Sequence, residues 1–369
     1  TIVLPYIHSA REGVLRLGSL LEQYGTYEMN GIGFQDTDEI WWMETIGGHH
    51  WIARRVPDDA YVVMPNQQGI DFFDLKDAFG EKKEHLCSAD LLAFIRNTHL
   101  DLTRRAEGGE LEAETAFDTR AAFGSRDDSD HSYNTPRAWY MLRCLNPHTF
   151  KWDGPDADYS PESDDLPWCM VPEHRLTIED FKYVLSAYYQ GTDYDPYSKY
   201  AVWKGKYRVI GINRNNFLSV TQLRPDLPEE IRAVQWIAMG SNAFNTIVPF
   251  YANVTRTPDY LAATDARPTT DNFYWANRII GALADVHYGK CLNPVERYQN
   301  AVLARAHSML KESDAACPEN KPANEVHACL EAANDRMADM LKEETYKLLD
   351  RVLFEASREM KNAFCRSDA

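Results

Sequence analysis

Residues Met29–Met64 read MNGIGFQDTDEIWWMETIGGHHWIARRVPDDAYVVM. Short apolar runs rich in aromatic and β-branched residues alternate here with turn signals made of Gly, Pro and Asp. This pattern predicts an antiparallel meander whose strands are Met29–Phe34, Ile40–Thr45, Trp51–Arg55 and Tyr61–Met64. Asn66 follows the last strand, so its side-chain amide is predicted to lie at the rim of a sheet.

The composition limits the class of protein and its partners. A chain of 369 residues with 44% hydrophobic residues can bury a sizeable core, in one large domain or two ordinary ones. The net charge of −17 argues against a nucleic-acid partner, which would need a basic face. No apolar run approaches the roughly 20 residues of a membrane span, so no membrane association is predicted.

The cysteines predict a reducing environment. The chain has seven of them, an odd number, without a CxxC spacing typical of a metal site. We therefore expect mostly reduced thiols and a cytoplasmic location. Cys317 and Cys329 flank a turn between two predicted helices, and they either pair or remain ordinary thiols.

Apolar residues three and four positions apart predict helices on both sides of the meander. Thr135 is a predicted N-cap with Pro136 at the first helical position, which puts Arg137 in the first turn. The other predicted helices are Pro5–Tyr24, Ala89–Thr98, one that begins at Thr177, Phe273–Ala284, Val295–Glu312 and Glu325–Phe364.

A second β block precedes the last helices. Its predicted strands are Tyr207–Asn213, Leu218–Leu223, Ala233–Met239 and Thr246–Tyr251. Two β blocks separated and followed by helices predict an α+β fold, with a main domain at 1–270 and a helical extension at 271–369. The last helix carries an apolar stripe that is predicted to be core, with an oligomer seam as the alternative: Leu330, Ala333, Met337, Leu341, Leu348 and Val352.

Two residue types invite a chemical interpretation that their positions disfavour. His49 and His50 are adjacent on a strand and point to opposite faces, so they cannot easily chelate one metal, and no metal or cofactor is predicted. Thr1 could be a nucleophile whose own amine is the base. It leads into a predicted helix, however, and not into a strand.

Several segments resemble bacterial cysteine dipeptidases of the dipeptidase A type. The matching segments are Tyr24–Asn30, Glu44–Arg55, Val63–Asn66, Tyr133–Trp139, Ile210–Arg214, Val234–Met239 and Phe250–Val254. Those proteins are N-terminal-nucleophile hydrolases related to bile-salt hydrolases and penicillin V acylases. The resemblance implies an αββα sandwich, incomplete in this chain, with a C-terminal helical hairpin.

The chain departs from the family pattern at one point, the nucleophile. Members begin with a Cys whose thiolate attacks a peptide carbonyl, whereas Thr1 corresponds to an interior position of the family. We therefore expect the nucleophile segment to be absent from this chain and to be a partner that the chain needs for activity. The expected substrates are dipeptides, and a homo-oligomer is possible.

The resemblance also implies site residues. Asn66 matches the Asn that helps to form the oxyanion hole, and Arg137 matches the Arg placed near the thiol. Tyr133 and Asn134 are expected to line the site beside Arg137. Without the resemblance, Asn66 is interpreted as a turn-capping residue and Arg137 as a solvated helix residue. Asn30 and Asn213 are weaker candidates that could simply close turns.

The alternatives to a dipeptidase concern both catalysis and substrate. One is a non-catalytic binding or scaffold protein that kept the fold without the nucleophile. The other is an amidase that acts on acylated amines, as related folds do.

Overall fold

The computed structural model describes residues 2–101, 116–262, 264–317 and 322–362. The chain forms two compact units, Thr1–Leu176 and Thr177–Ala369. Both units combine helices with antiparallel sheets, so the predicted α+β class is confirmed. This boundary differs from the predicted division after residue 270, because the last helices share a hydrophobic core with Val248 and Phe250 of the second β block.

The first unit contains eight short strands among the described residues. They are β1 (Gly31–Gln35), β2 (Ile40–Gly47), β3 (His50–Val56), β4 (Tyr61–Val62), β5 (Phe73–Asp74), β6 (His85–Cys87), β7 (Ala116–Phe117) and β8 (Cys169–Met170). Its helices follow a single 3-10 turn at Leu4–Tyr6. They are α1 (Ala10–Tyr24), α2 (Leu75–Phe79), α3 (Leu91–Asn97), α4 (Thr119–Phe123), α5 (Asp128–Tyr133) and α6 (Thr135–Leu145).

The predicted meander is correct for its first three strands and wrong for the fourth. β1, β2 and β3 pair antiparallel in that order, but β6 takes the place beside β3. Tyr61–Val62 instead pairs with Cys169–Met170 in a separate sheet. The turn at Pro57 leads the chain away from β3, and the partner of Tyr61–Val62 comes from more than 100 residues further on. Local sequence cannot specify such a distant pairing.

Both faces of this sheet are covered by apolar residues. Trp41 and Met43 face α1 and are completely buried there. Ile52 packs on the opposite face with Phe73 and Leu91, and Trp42 packs against the same cluster. Alternation along β2 therefore divides its side chains between two hydrophobic layers.

The adjacent histidines contact different elements, although only His50 lies on a strand and His49 belongs to the turn before it. The Nδ1 atom of His49 lies 2.9 Å from the carbonyl oxygen of Glu22 at the end of α1. The ring of His50 stacks on Phe94 at a centroid distance of 3.8 Å. Both rings have packing roles, and the described residues contain no cluster of metal-ligating side chains.

The second unit is built around one three-stranded sheet. Its strands are β9 (Phe217–Leu223), β10 (Ala233–Met239) and β11 (Val248–Tyr251), in the order β11-β10-β9. Its helices are α7 (Ile178–Leu185), α8 (Glu229–Arg232), α9 (Asp259–Ala262), α10 (Phe273–Val286), α11 (Tyr288–Ala316) and α12 (Ala323–Arg358). Among the described residues, no helix is long and apolar enough to cross a bilayer.

The predicted strand Tyr207–Asn213 is wrong, because these residues form turns. Their backbone groups bond locally and to a nearby loop. The N–H of Gly211 donates to the carbonyl of Ala187, and the Asn215 amide donates to the carbonyl of Ile210. These bonds replace the ladder that a strand would need.

The C-terminal hairpin is formed by α11 and α12, and its apolar stripe is core. Leu330 and Ala333 are buried with residues of β10, while Met337, Leu341, Leu348 and Val352 are buried with residues of α10 and α11. Residues 363 and 364, at the predicted end of the last helix, lie outside the described residues.

Two glycines allow α1 to approach the meander closely. A Cβ built at Gly13 would overlap the ring of Phe34, and one built at Gly18 would overlap the indole of Trp51. Both aromatic side chains are buried and cannot move aside easily. The distance between helix and sheet is therefore set by the absence of these two side chains.

We expect Gly18→Ala to destabilise the protein, although alanine is the better helix former. Overpacking against Trp51 should cost about 1–3 kcal/mol, more than the roughly 1 kcal/mol that alanine gains in helix propensity. Gly289→Ala is the matched control, because Gly289 lies in α11 with nothing within 4 Å of the added Cβ. The control should be neutral or stabilising in denaturant unfolding, and equal effects of the two substitutions would refute the steric explanation.

Candidate active site

Arg137 and Asn66 are in direct contact, although 71 residues separate them in sequence. The Nη2 atom of Arg137 donates to Oδ1 of Asn66 at 2.8 Å and to Oδ1 of Asn134 at 2.6 Å. Its Nε atom donates to the backbone carbonyl of Tyr133 at 2.5 Å. The structure thus brings Asn66, Asn134 and Arg137 together, and Tyr133 takes part through its backbone carbonyl.

Local sequence explains why Arg137 points toward this cluster. α5 ends at Tyr133 and α6 begins at Thr135, so Asn134 joins two consecutive helices. Pro136 at the start of α6 fits a position whose N–H would lack a helical partner. Arg137, in the first turn of α6, can therefore reach back to the Tyr133 carbonyl and the Asn134 side chain.

A buried carboxylate orients the Asn134 amide. Asp130 is 4% exposed, and its Oδ1 atom accepts from the Asn134 amide nitrogen at 2.5 Å. Its other oxygen accepts from the Ser125 hydroxyl. Sequence analysis missed Asp130. A local signal was present in Asp127, three residues earlier, which is a helix N-cap whose carboxylate accepts from the Asp130 backbone N–H.

Hydrogen-bond chemistry fixes both asparagine amides in one orientation. Arginine can only donate, so the atom of Asn66 that faces Arg137 must be the amide oxygen. The amide nitrogen of Asn66 is therefore directed away from the guanidinium. The Asn66 residue as a whole is exposed.

Glu44 holds the loop that follows Asn66. It is completely buried on β2, and its Oε1 atom accepts from the backbone N–H groups of Gly69 at 2.9 Å and Ile70 at 3.1 Å. The indole N–H of Trp42 donates to the same oxygen at 3.1 Å. Gln68 adds a bond to the Thr45 carbonyl at 3.0 Å. The loop is thus fastened to the sheet within a few residues of Asn66.

The burial of Glu44 has an electrostatic consequence. Desolvation raises the pKa of Glu44 to about 7, although hydrogen bonds from Gly69, Trp42 and Ile70 and the charge of Arg120 act in the opposite direction. Its Oε2 atom has no hydrogen-bond partner among the described residues. Sequence analysis did not single out Glu44, because a glutamate on a predicted strand is usually exposed.

The remaining candidate side chains are exposed, close a turn, belong to the second unit or lie outside the described residues. Tyr133 is 48% exposed, so its side chain lies at the surface beside Arg137. The Asn30 amide donates to the Glu28 carbonyl and so closes a turn. Asn213 belongs to the second unit, and Thr1 lies outside the described residues.

Five of the six described cysteine thiols are poorly suited to nucleophilic attack. All six are unpaired, including Cys317 and Cys329, which form no disulfide. Burial raises the pKa of Cys87 to about 12 and that of Cys144 to about 11. The same cause raises the pKa of Cys169, Cys291 and Cys317. A thiol is a weak nucleophile compared with its thiolate, so these groups are inert near neutral pH.

Known proteins resemble this chain along its whole length. A family model described as Peptidase family C69 matches residues 1–301. A dipeptidase of Bifidobacterium longum (strain NCC 2705) is 53% identical over 100% of this chain and 75% of its own length. A probable dipeptidase A of Streptococcus pyogenes serotype M18 is 49% identical over 100% of this chain and 73% of its own length. The dipeptidase A of Lactobacillus helveticus is 39% identical over 96% of this chain and 70% of its own length.

We expect Glu44 to make the protein less stable as the pH rises. Its folded-state pKa of about 7 lies above its ordinary value of 4.5, so the folded protein binds the proton more tightly than the unfolded chain does. Stability should therefore fall by roughly 3 kcal/mol between the two pKa values. Glu44→Gln should remove this part of the pH dependence, as measured by urea unfolding from pH 4 to 8. The same slope in parent and variant would show that Glu44 does not titrate in this range.

Proposed function

The chain belongs to peptidase family C69, and from that membership we propose that it is the larger part of a cysteine dipeptidase. The observation that carries the proposal is the 53% identity to the Bifidobacterium longum dipeptidase over 100% of this chain. It confirms the resemblance on which the choice of Asn66 and Arg137 was based. The contact between these two residues supports their assignment to one site.

The proposed reaction is acyl transfer from a dipeptide to water. The thiolate of an N-terminal Cys attacks the carbonyl carbon of the peptide bond and forms a tetrahedral oxyanion. The α-amine of that Cys, whose reference pKa is ~8, gives a proton to the departing amine of the second residue. Water then attacks the thioester, which releases the first residue as a free acid and restores the thiol.

Asn66 is proposed to stabilise the oxyanion. An oxyanion hole needs N–H donors that are already oriented before charge develops on the carbonyl oxygen. Arg137 binds the amide oxygen of Asn66, so the amide nitrogen is the atom that can donate to the substrate. The bonds from Gly69 and Ile70 to Glu44 hold the following loop and limit the reorganisation of this donor.

Arg137 is proposed to act on both the donor and the nucleophile. Its hydrogen bonds orient Asn66, and its positive charge would favour thiolate over thiol in a nearby cysteine. The nucleophilic thiol is proposed to come from outside these 369 residues. The raised pKa values of the buried thiols support this, as does the 75% share of the Bifidobacterium longum relative that the chain covers.

The origin of the thiol can be tested directly. We expect the pure 369-residue chain to leave dipeptides intact, and the chain joined to a segment that begins with the nucleophilic Cys to hydrolyse them. Chromatography of the product amino acids shows whether the pure chain or only the joined protein hydrolyses dipeptides. Hydrolysis by the pure chain that a thiol-alkylating reagent abolishes would place the nucleophile among its own seven cysteines and overturn this part of the proposal.

The oxyanion role of Asn66 predicts a selective loss of turnover. In the joined enzyme, Asn66→Ala should lower kcat about 100- to 1000-fold. KM should change much less, because the oxyanion exists only near the transition state. Gln67→Ala, at the next position of the same loop, is the control and should keep near-parental kcat. If folded Asn66→Ala retains kcat within a factor of three of the parent, the residue is only a turn cap.

A further inference from the structure

A cavity lies within the second unit. It encloses about 310 Å³, near the lower end of the range for small-ligand pockets. One wall is α10, and the others are the loops that precede β9 and follow β10. Charged and aromatic side chains line it together, which is typical of sites for polar small molecules.

One end of the cavity combines a carboxylate with aromatic rings. Asp285 is exposed, and its Oδ1 atom accepts from the Tyr197 hydroxyl at 2.5 Å. The Tyr197 ring stacks on Tyr288 at 3.9 Å and meets Tyr188 edge-on at 5.1 Å, so its position is fixed by packing. A carboxylate beside aromatic faces is the combination that binds an ammonium group.

The lining also includes an arginine, Arg278. The Nη1 atom of Arg278 donates to the backbone carbonyl of Asn213, which anchors the side chain. Within the described residues, Arg278 forms no ion pair with a carboxylate. Its remaining N–H groups suit the planar, two-oxygen geometry of a ligand carboxylate.

The two charges lie on one face of the same helix. Arg278, Gly281, Ala282 and Asp285 all line the cavity, and their spacing of three, four and seven residues defines one side of α10. The backbone positions of Arg278 and Asp285 are therefore about 10 Å apart. An extended dipeptide spans about 7 Å, and the arginine side chain can cover the difference.

We propose that this cavity binds short peptides whose two termini are both free. Asp285 and Tyr197 receive the terminal ammonium group, and Arg278 receives the terminal carboxylate. The identification of the ligand as a peptide rests on the proposed dipeptidase function. The presence of both charges in the cavity lining rests on the structure of this unit alone. The volume of about 310 Å³ suits ligands of about two residues.

The test is calorimetric titration of the 369-residue chain with alanyl-alanine, after alkylation of accessible thiols so that no hydrolysis competes. The parent should bind the dipeptide with both termini free more tightly than its N-acetyl or C-terminal amide forms. Loss of one charge-assisted hydrogen bond should weaken binding about tenfold.

Two variants and two controls separate the ends of the ligand. Asp285→Asn should weaken binding of alanyl-alanine and leave binding of its N-acetyl form unchanged. Arg278→Gln should weaken binding of alanyl-alanine and leave binding of its C-terminal amide unchanged. Asp339→Asn and Arg336→Gln, at exposed positions of α12, should bind all three ligands as the parent does.

The outcomes distinguish this inference from the proposed function. If the parent shows no binding, or binds the N-acetyl form as tightly as the free dipeptide, the inference is wrong. It is also wrong if Asp285→Asn and Asp339→Asn behave alike. Should the joined enzyme hydrolyse dipeptides with unchanged KM in both cavity variants, the dipeptidase proposal stands without this cavity. If the joined protein binds alanyl-alanine in this charge-dependent way but hydrolyses no dipeptide, the cavity proposal stands and the dipeptidase proposal is refuted.

Discussion

An arginine can only donate hydrogen bonds, and this constraint fixes the arrangement of the candidate active site. Arg137 must face the amide oxygens of Asn66 and Asn134, and the acceptor-only carboxylate of Asp130 must face the amide nitrogen of Asn134. Each side chain thereby determines the orientation of the next. The amide nitrogen of Asn66 therefore has a defined direction, although the residue is exposed.

The loop after Asn66 is held at an energetic cost. A buried glutamate is unfavourable when ionised, and the Oε2 atom of Glu44, which lacks a hydrogen-bond partner in the described part of the chain, adds to that cost. In return, its Oε1 atom gathers two backbone N–H groups and one indole N–H on β2, which lies between two hydrophobic layers. The sheet thus supports the loop, and in the proposed reaction the loop would keep the Asn66 donor in place for the oxyanion.

Sequence patterns predicted the elements that depend on local alternation. The strands β1, β2 and β3, the helix α6 and the apolar stripe of α12 all follow from spacings of two or of three and four residues. The place of Tyr61–Val62 in the meander and the strand at Tyr207–Asn213 were predicted wrongly, because their backbone groups bond to partners that the local pattern does not reveal. Asp130 and Glu44 were missed for a related reason, since an acidic residue shows its burial only when the surrounding elements have packed.

The sequence by itself determined the α+β class, the family resemblance and the identity of Asn66 and Arg137 as candidates, because these depend on residue types and their order. Tertiary structure alone decided that Arg137 contacts Asn66 across 71 positions, and that Glu44 is buried beneath the same loop. It also decided that Arg278 and Asp285 share a cavity with Tyr197. Hydrogen bonds and desolvation act over a few ångströms in space, and distance along the chain does not specify which groups come that close.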